Sequence, residues 1–307
     1  MISTLQDLIA PLSEATFLAH FRERTVVFVR TSEPQRFETL LGWDELNYLI
    51  ESGLYPVEEL RMCSSMPIPA SSYIEEGRFD PVAFSALMDR GDAGLIFNRL
   101  DKHVHKLGRL CHQIAEQTGE QVTAEAIVTS GMDGARPHFN TEDICVLQIA
   151  GSNRWELCAP SIVSSLEDMS VPTVPQSAPF FNEVLHVGDL LFVPAGCFHR
   201  YECRAGRSMH VCIVFQPPCG REVVTWLTNQ LMTDETFNGP LTRYANASAL
   251  ASHEAALKAR LIEQVRAWSL AGFLAERAAS RAKEVAIHID GTQNATKGLT
   301  SDGLKAE

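Results

Sequence analysis

The stretch GDLLFVPAGCFHRYE, residues 188–202, decides the fold. It begins at a Gly-Asp turn, runs through the apolar LLFV, and reverses at Pro194-Ala195-Gly196. It resumes at Phe198, with His199 just beyond the turn. A short apolar run between a Gly and a Pro reads as a strand, and a Pro-Ala-Gly turn is able to aim the residues after it back across a sheet. Runs of the same kind lie on either side: EAIVTS (125–130), DICVLQIAG (143–151), NRWELCAP (153–160), HRYECRAG (199–206) and MHVCIVFQPP (209–218). Short strands at regular spacing, broken by Gly, Pro and Asp, predict a β-sandwich or barrel.

The flanks read differently. In residues 1–60, Leu5, Leu8, Ile9 and Leu12 have helical spacing, TVVFVR (25–30) reads as a strand, and GWDELNYLIESG has a helix start and a Gly stop. Residues 81–120 read as helical, with LIFNRL (95–100) as a strand or turn between, and KLGRLCHQIAEQTG stops at Gly119. His103 and His105 fall in one expected helix, where two residues of spacing makes them poor co-ligands. After residue 220, REVVTWLTNQLM and HEAALKARLIEQVRAWSLAGFLAERAASRA read as helices, with Leu257, Leu261, Val265 and Trp268 as an apolar stripe. Trp155 and Trp268 are expected in the core. The tail from residue 285 has little apolar content and is expected to be disordered.

Composition narrows the function. A chain of 307 residues with 45% hydrophobic and 21% charged residues is globular. Its net charge of -12, from 26 basic and 38 acidic side chains, disfavours general binding to nucleic-acid phosphates. The eight cysteines are scattered without a CxxC pair, several within apolar runs, and read as buried thiols of a reducing, cytoplasmic environment. No window is apolar enough to span a membrane.

Two segments offer chemistry. PHFNTED (137–143) places His138 and Asn140 two apart, on one face if extended. The second segment supplies His199 from a distant strand. A facial-triad iron(II) centre wants two His and one carboxylate with open positions for other ligands. The sequence offers HxN…H in place of HxD…H. Glu142 and Asp143 read as turn residues or outward charges, and Cys197 as a packed thiol near the site.

In their chained order these segments resemble the JmjC-type cupin-like oxygenases, in particular the ribosomal-oxygenase branch, over residues 1–218. The resemblance implies a mainly β fold with α: a double-stranded β-helix barrel with N-terminal helices (1–218), a helical dimerisation region (219–284) and a tail (285–307). It implies iron(II) and 2-oxoglutarate as cofactors, a peptide or small amino-acid-like substrate, and a homodimer. It places the metal at His138, Asn140 and His199, and the cosubstrate against Thr129, Asn153, Ser208 and His210. The family's metal aspartate falls on Asn140, and its basic cosubstrate residue on Asn153 of GSNRW. Arg136 is the better substitute base, because Arg154 alternates to the opposite strand face. Glu125, where the family has an asparagine, is a possible substitute ligand, although a salt bridge or a solvated edge is the simpler reading for it. Two alternatives stay open: a cupin-fold binding or regulatory protein without catalysis, and a metal cupin independent of 2-oxoglutarate.

Overall fold

The computed structural model describes residues 2–64, 68–91, 93–131, 137–159, 178–204, 206–242 and 246–279. The chain divides into two compact units, Met1–Pro217 and Pro218–Glu307.

The first unit is built on two antiparallel sheets. The larger has seven strands in the order β1 (Val27–Val29), β10 (Leu190–Val193), β7 (Asp143–Ala150), β12 (Arg207–Gln216), β6 (Gln121–Ser130), β5 (Ala93–Phe97) and β2 (Leu60–Ser64). The smaller has β11 (Phe198–Cys203), β8 (Asn153–Cys158) and β9 (Phe181–Leu185). A separate hairpin joins β3 (Ile74–Glu75) and β4 (Arg78–Phe79). The central strands read as unbroken apolar runs because both of their faces are covered. Leu190, Phe192, Cys145, Leu147, Val211 and Ile213 point to one side, into a core shared with Leu5 and Leu8 of α1 (Leu5–Ile9), Phe17 of α2 (Glu14–Glu23) and Leu107 and Leu110 of α6 (His105–Thr118). The alternate residues, Leu191, Val193, Ile144, Val146, Ile127 and Cys212, form a second core with Trp155, Leu157, Leu185 and Tyr201 of the smaller sheet. Each fully buried Leu contributes about 1.5–3 kcal/mol. The two sheets therefore pack face to face, and polar side chains on the inward positions lie between them.

The deciding stretch is held at both ends. Gly188 has φ +89°, and a Cβ there would lie 2.6 Å from Thr31 Cγ2 and 2.8 Å from the Glu33 carbonyl, so only glycine fits. Beside it, buried Asp189 accepts the backbone N–H groups of Thr31 at 3.0 Å and His186 at 2.9 Å. At the other end Gly196, at φ +78°, completes the reversal into β11.

Several expectations need correction. His103 and His105 do not share a helix: α5 (Leu100–His103) ends and α6 begins on either side of non-helical Val104. The long C-terminal helix starts earlier, as α9 (Ala247–Ala267), and breaks at residues 268–269 before helix resumes over 270–279. Trp268, at that break, is half-buried and not a core residue, whereas Trp155 is fully buried. Asp143 is neither a turn residue nor an outward charge: it starts β7 with 3% of its surface exposed. No helix among the described residues is long and apolar enough to cross a membrane.

Candidate metal centre between the sheets

His138 and His199 meet. They form an antiparallel bridge in which His138 N–H donates to the His199 carbonyl at 3.0 Å and His199 N–H donates to the His138 carbonyl at 2.7 Å. Their ring centroids lie 4.4 Å apart at 58°. The intervening residues go to the other side, where Phe139 and Phe198 pack with centroids 6.1 Å apart. One residue further along, Gly196 N–H donates to the Asn140 carbonyl at 2.8 Å, which ties the HFN segment to the Pro-Ala-Gly turn.

His199 is held as a neutral imidazole. Its Nδ1 lies 3.0 Å from the Cys197 carbonyl, an acceptor only, so Nδ1 carries the proton and Nε2 keeps its lone pair. Burial, then the neighbouring His138, pulls its pKa down to about 3. The turn that carries it is anchored by Asp143, whose Oδ1 accepts Ala195 N–H at 2.7 Å and the Arg24 guanidinium at 3.1 Å. Arg24 also donates to the Ala195 carbonyl at 3.3 Å. The Cys197 thiol packs against the Cys158 carbonyl and is pushed up to about 12 by burial.

Beside this pair lies a second polar group on the inward faces. Asn153 Nδ2 donates to His210 Nδ1 at 3.0 Å, and Thr129 Oγ1 lies 3.5 Å from Asn153 Oδ1. Gln148 Nε2 donates to Ser208 Oγ and to the Ala150 carbonyl, both at 2.8 Å. Trp155 links the two groups, with ring centroids 5.7 Å from His199 and 5.5 Å from His210. Thr129, Asn153, Ser208 and His210, named from the sequence, thus form one cluster with Gln148, which sequence reasoning missed. An amide inside the apolar run DICVLQIAG, at an inward position, was the signal available for it.

The remaining candidates stand apart. Arg154 lies on the outer face of β8 and donates to Asn182 at 2.7 Å. Arg136 lies outside the described residues. Glu125 is inward on β6, level with Cys212, and burial is the main cause that pushes it up to about 6. Among the described residues no three His, Cys, Asp or Glu side chains form a group able to hold a metal, so Glu125 does not join the two histidines. What the described residues bring together is two imidazoles, 4.4 Å between ring centroids, donors of a kind that suits a first-row metal. For a dicarboxylate the fit is partial, because the polar cluster holds no cation among the described residues.

Residues 100–223 match the JmjC domain model. Ribosomal oxygenase 2 of Rattus norvegicus is 24% identical over 217 residues, which are 69% of this chain and 47% of that protein. The bifunctional lysine-specific demethylase and histidyl-hydroxylase NO66 of Drosophila persimilis is 28% identical over 216 residues, 68% of this chain and 31% of that protein. The chain thus spans about half the length, or less, of these curated relatives. Two structures of YcfD, a ribosomal oxygenase from Escherichia coli, share the fold. The complex with cobalt and succinic acid has a TM-score of 0.56 at 16% identity, covering 87% of this chain and 69% of that one. The complex with cobalt and 2-oxoglutarate has 0.54 at 17%, covering 84% and 68%. Residues 100–223 are thus similar to the JmjC domain, and the pair of antiparallel sheets is the fold shared with the YcfD structures.

Proposed function

We propose that this chain is an iron(II)- and 2-oxoglutarate-dependent oxygenase that hydroxylates a peptidyl side chain or a small amino-acid-like molecule. The observation that carries this is the His138–His199 pair, 4.4 Å between ring centroids, with His199 buried, kept neutral and fixed by the Cys197 carbonyl. His138, His199 and the Asn140 amide oxygen would hold iron. Iron(II) with a 2-oxo acid supplies the activation of oxygen. The protein's part is to orient and to exclude water. The Cys197 carbonyl fixes the His199 ring, and the wall of Ile127, Ile144, Val146, Leu157 and Leu191 keeps the centre dry. Thr129, Asn153, Ser208 and His210 would face the 2-oxo acid. If its far carboxylate is paired with a cation, Arg136 is the residue the sequence offers. The bound cobalt and 2-oxoglutarate of one YcfD structure, and the name histidyl-hydroxylase of one relative, support a 2-oxo acid and a peptide substrate.

Anaerobic addition of iron(II) and millimolar 2-oxoglutarate should give a weak visible charge-transfer band. A metal-loaded protein that gives none, with or without Arg136, would favour the second reading: a binding protein of cupin fold, or a metal cupin that uses no 2-oxo acid. The neutral Asn140 and Asn153 favour that alternative. The second unit is proposed as a dimerisation region, because α9 has no buried residue and exposes Leu261, Ile262 and Val265.

A further inference from the structure

The polar cluster between the sheets has unfinished hydrogen bonds. Gln148 and His210 are each 0% exposed and Trp155 is 1% exposed. Yet Gln148 Oε1, His210 Nε2 and Trp155 Nε1 have no partner among the described residues. Native structures pair buried polar atoms, and each one left alone costs about 1–3 kcal/mol. Three on adjoining inward positions point to a ligand: Gln148 and His210 are register partners on β7 and β12, and the Trp155 ring packs edge-on against His210.

The chemistry of the three atoms can be read. The Gln148 amide cannot be reversed, because its Nε2 faces the Ala150 and Met209 carbonyls at 2.8 and 3.3 Å. Its free atom is therefore an acceptor. Trp155 Nε1 is a donor only. With Asn153 Nδ2 donating to Nδ1, His210 carries its proton on Nε2 and is a second donor. Reversing the Asn153 amide would make Nε2 an acceptor, and the set would still hold both a donor and an acceptor.

Charge points the same way. Thr129, Gln148, Asn153 and Ser208 are neutral, and burial keeps His210 neutral too, with a pKa pulled down to about 3. The adjoining row holds a carboxyl, Glu125, and Arg154 and Glu156 alternate to the outer face of β8. Among the described residues Arg61 shares this inward face, in the row of Ile96 and Ile127, but its charge acts on Glu125. A carboxylate placed at the cluster would lose water without a cation of its own among the described residues, and it could not satisfy the Gln148 oxygen. A primary carboxamide satisfies all three: its oxygen accepts both N–H groups and its NH2 donates to Gln148.

We infer that this cluster binds the far end of the 2-oxo acid as an uncharged donor–acceptor group, a carboxamide in preference to a carboxylate. The inference rests on the proposed chelation of a 2-oxo acid at the His138–His199 metal and revises only its far end: 2-oxoglutarate would bind there more weakly than its neutral amide.

Two oxalyl chelators of nearly equal shape test it: N-oxalylglycine, with a far carboxylate, and N-oxalylglycinamide, with a far carboxamide. Each is titrated by calorimetry into the full chain loaded with manganese(II). The amide should bind at least tenfold tighter than the acid near neutral pH, and Asn153→Lys should reverse the order. In the unaltered protein, an acid that binds as tightly as the amide or tighter overturns the inference and leaves the oxygenase reading standing. Such a result would call for a cation, and loss of the acid's binding in Arg136→Ala or in Arg61→Ala would say which one supplies it. Binding of neither compound to the metal-loaded protein overturns the inference together with the reading beneath it.

Discussion

Asp143 is the strut of the proposed centre, and its removal has a calculable cost. Its Oδ1 receives Ala195 N–H at 2.7 Å and Arg24 at 3.1 Å, and the next turn residue, Gly196, holds the Asn140 carbonyl. In Asp143→Ala the partly buried Ala195 N–H loses its acceptor, about 1–2 kcal/mol. The Arg24 side chain is 48% exposed, so its ion pair is screened and adds about 0.5 kcal/mol at most. The sum, about 1–2.5 kcal/mol, corresponds to a fall of about 2–10 °C in Tm for a unit of this size. The same loss frees the turn that sets His199 against His138 and Asn140, so manganese(II) affinity should drop about tenfold, equivalent to about 1.4 kcal/mol. Asp143→Asn keeps an acceptor for Ala195 and should recover most of the stability. Thermal denaturation and metal titration of the two variants are the assay. A Tm change below about 1 °C in Asp143→Ala, with unaltered metal affinity, would refute the strut.

Other outcomes follow from the same geometry. Asn140→Asp puts a charged oxygen in place of a neutral one and should tighten iron(II) binding about tenfold or more, measured by anaerobic competition with a chelator; unchanged affinity counts against Asn140 as a ligand. The metal-free protein should lose stability as pH falls. Burial pulls His210 from 6.5 to about 3, so below about pH 6.5 the unfolded chain gains a proton that the folded chain refuses. His199 acts in the same sense, whereas Glu125, pushed up to about 6, adds stability in acid that is lost as pH rises through 6. His210→Gln should therefore narrow the Tm difference between about pH 7.5 and pH 5, and an equal or wider difference would speak against a buried neutral imidazole. Light scattering at micromolar concentration should give the mass of a dimer, and a monomer would exclude pairing through the exposed apolar residues of α9.

The legible parts of the sequence were those where one physical signal dominated. DICVLQIAG, LLFV and MHVCIVFQPP announce strands because both of their faces are buried, and Gly119 ends α6 in the left-handed conformation only glycine takes easily. β2 was missed because LRMCS is only five residues long and owes its strand geometry to pairing with β5, distant in sequence, where Leu95 lies opposite Met62. The helix break at Val104 has no Gly or Pro to mark it. At the site, His138 and His199 were visible because each adjoins a turn. The role of Asp143 was not, since its partners lie 52 and 119 residues away and a carboxylate after Thr141-Glu142 reads locally as solvated. The Gln148–Ser208 contact, 60 residues apart in sequence, depends on strand register, which a single sequence does not fix.

Whether His138 and His199 share one metal ion is read by cobalt(II) titration, because visible d–d absorption reports on the ligands themselves. One cobalt(II) per chain is expected, with bands of an imidazole-bound centre, lost in both His138→Ala and His199→Ala while the variants keep their folded circular dichroism. Unchanged bands and stoichiometry in either folded variant, or no cobalt(II) bound by the unaltered protein, would contradict a shared ion.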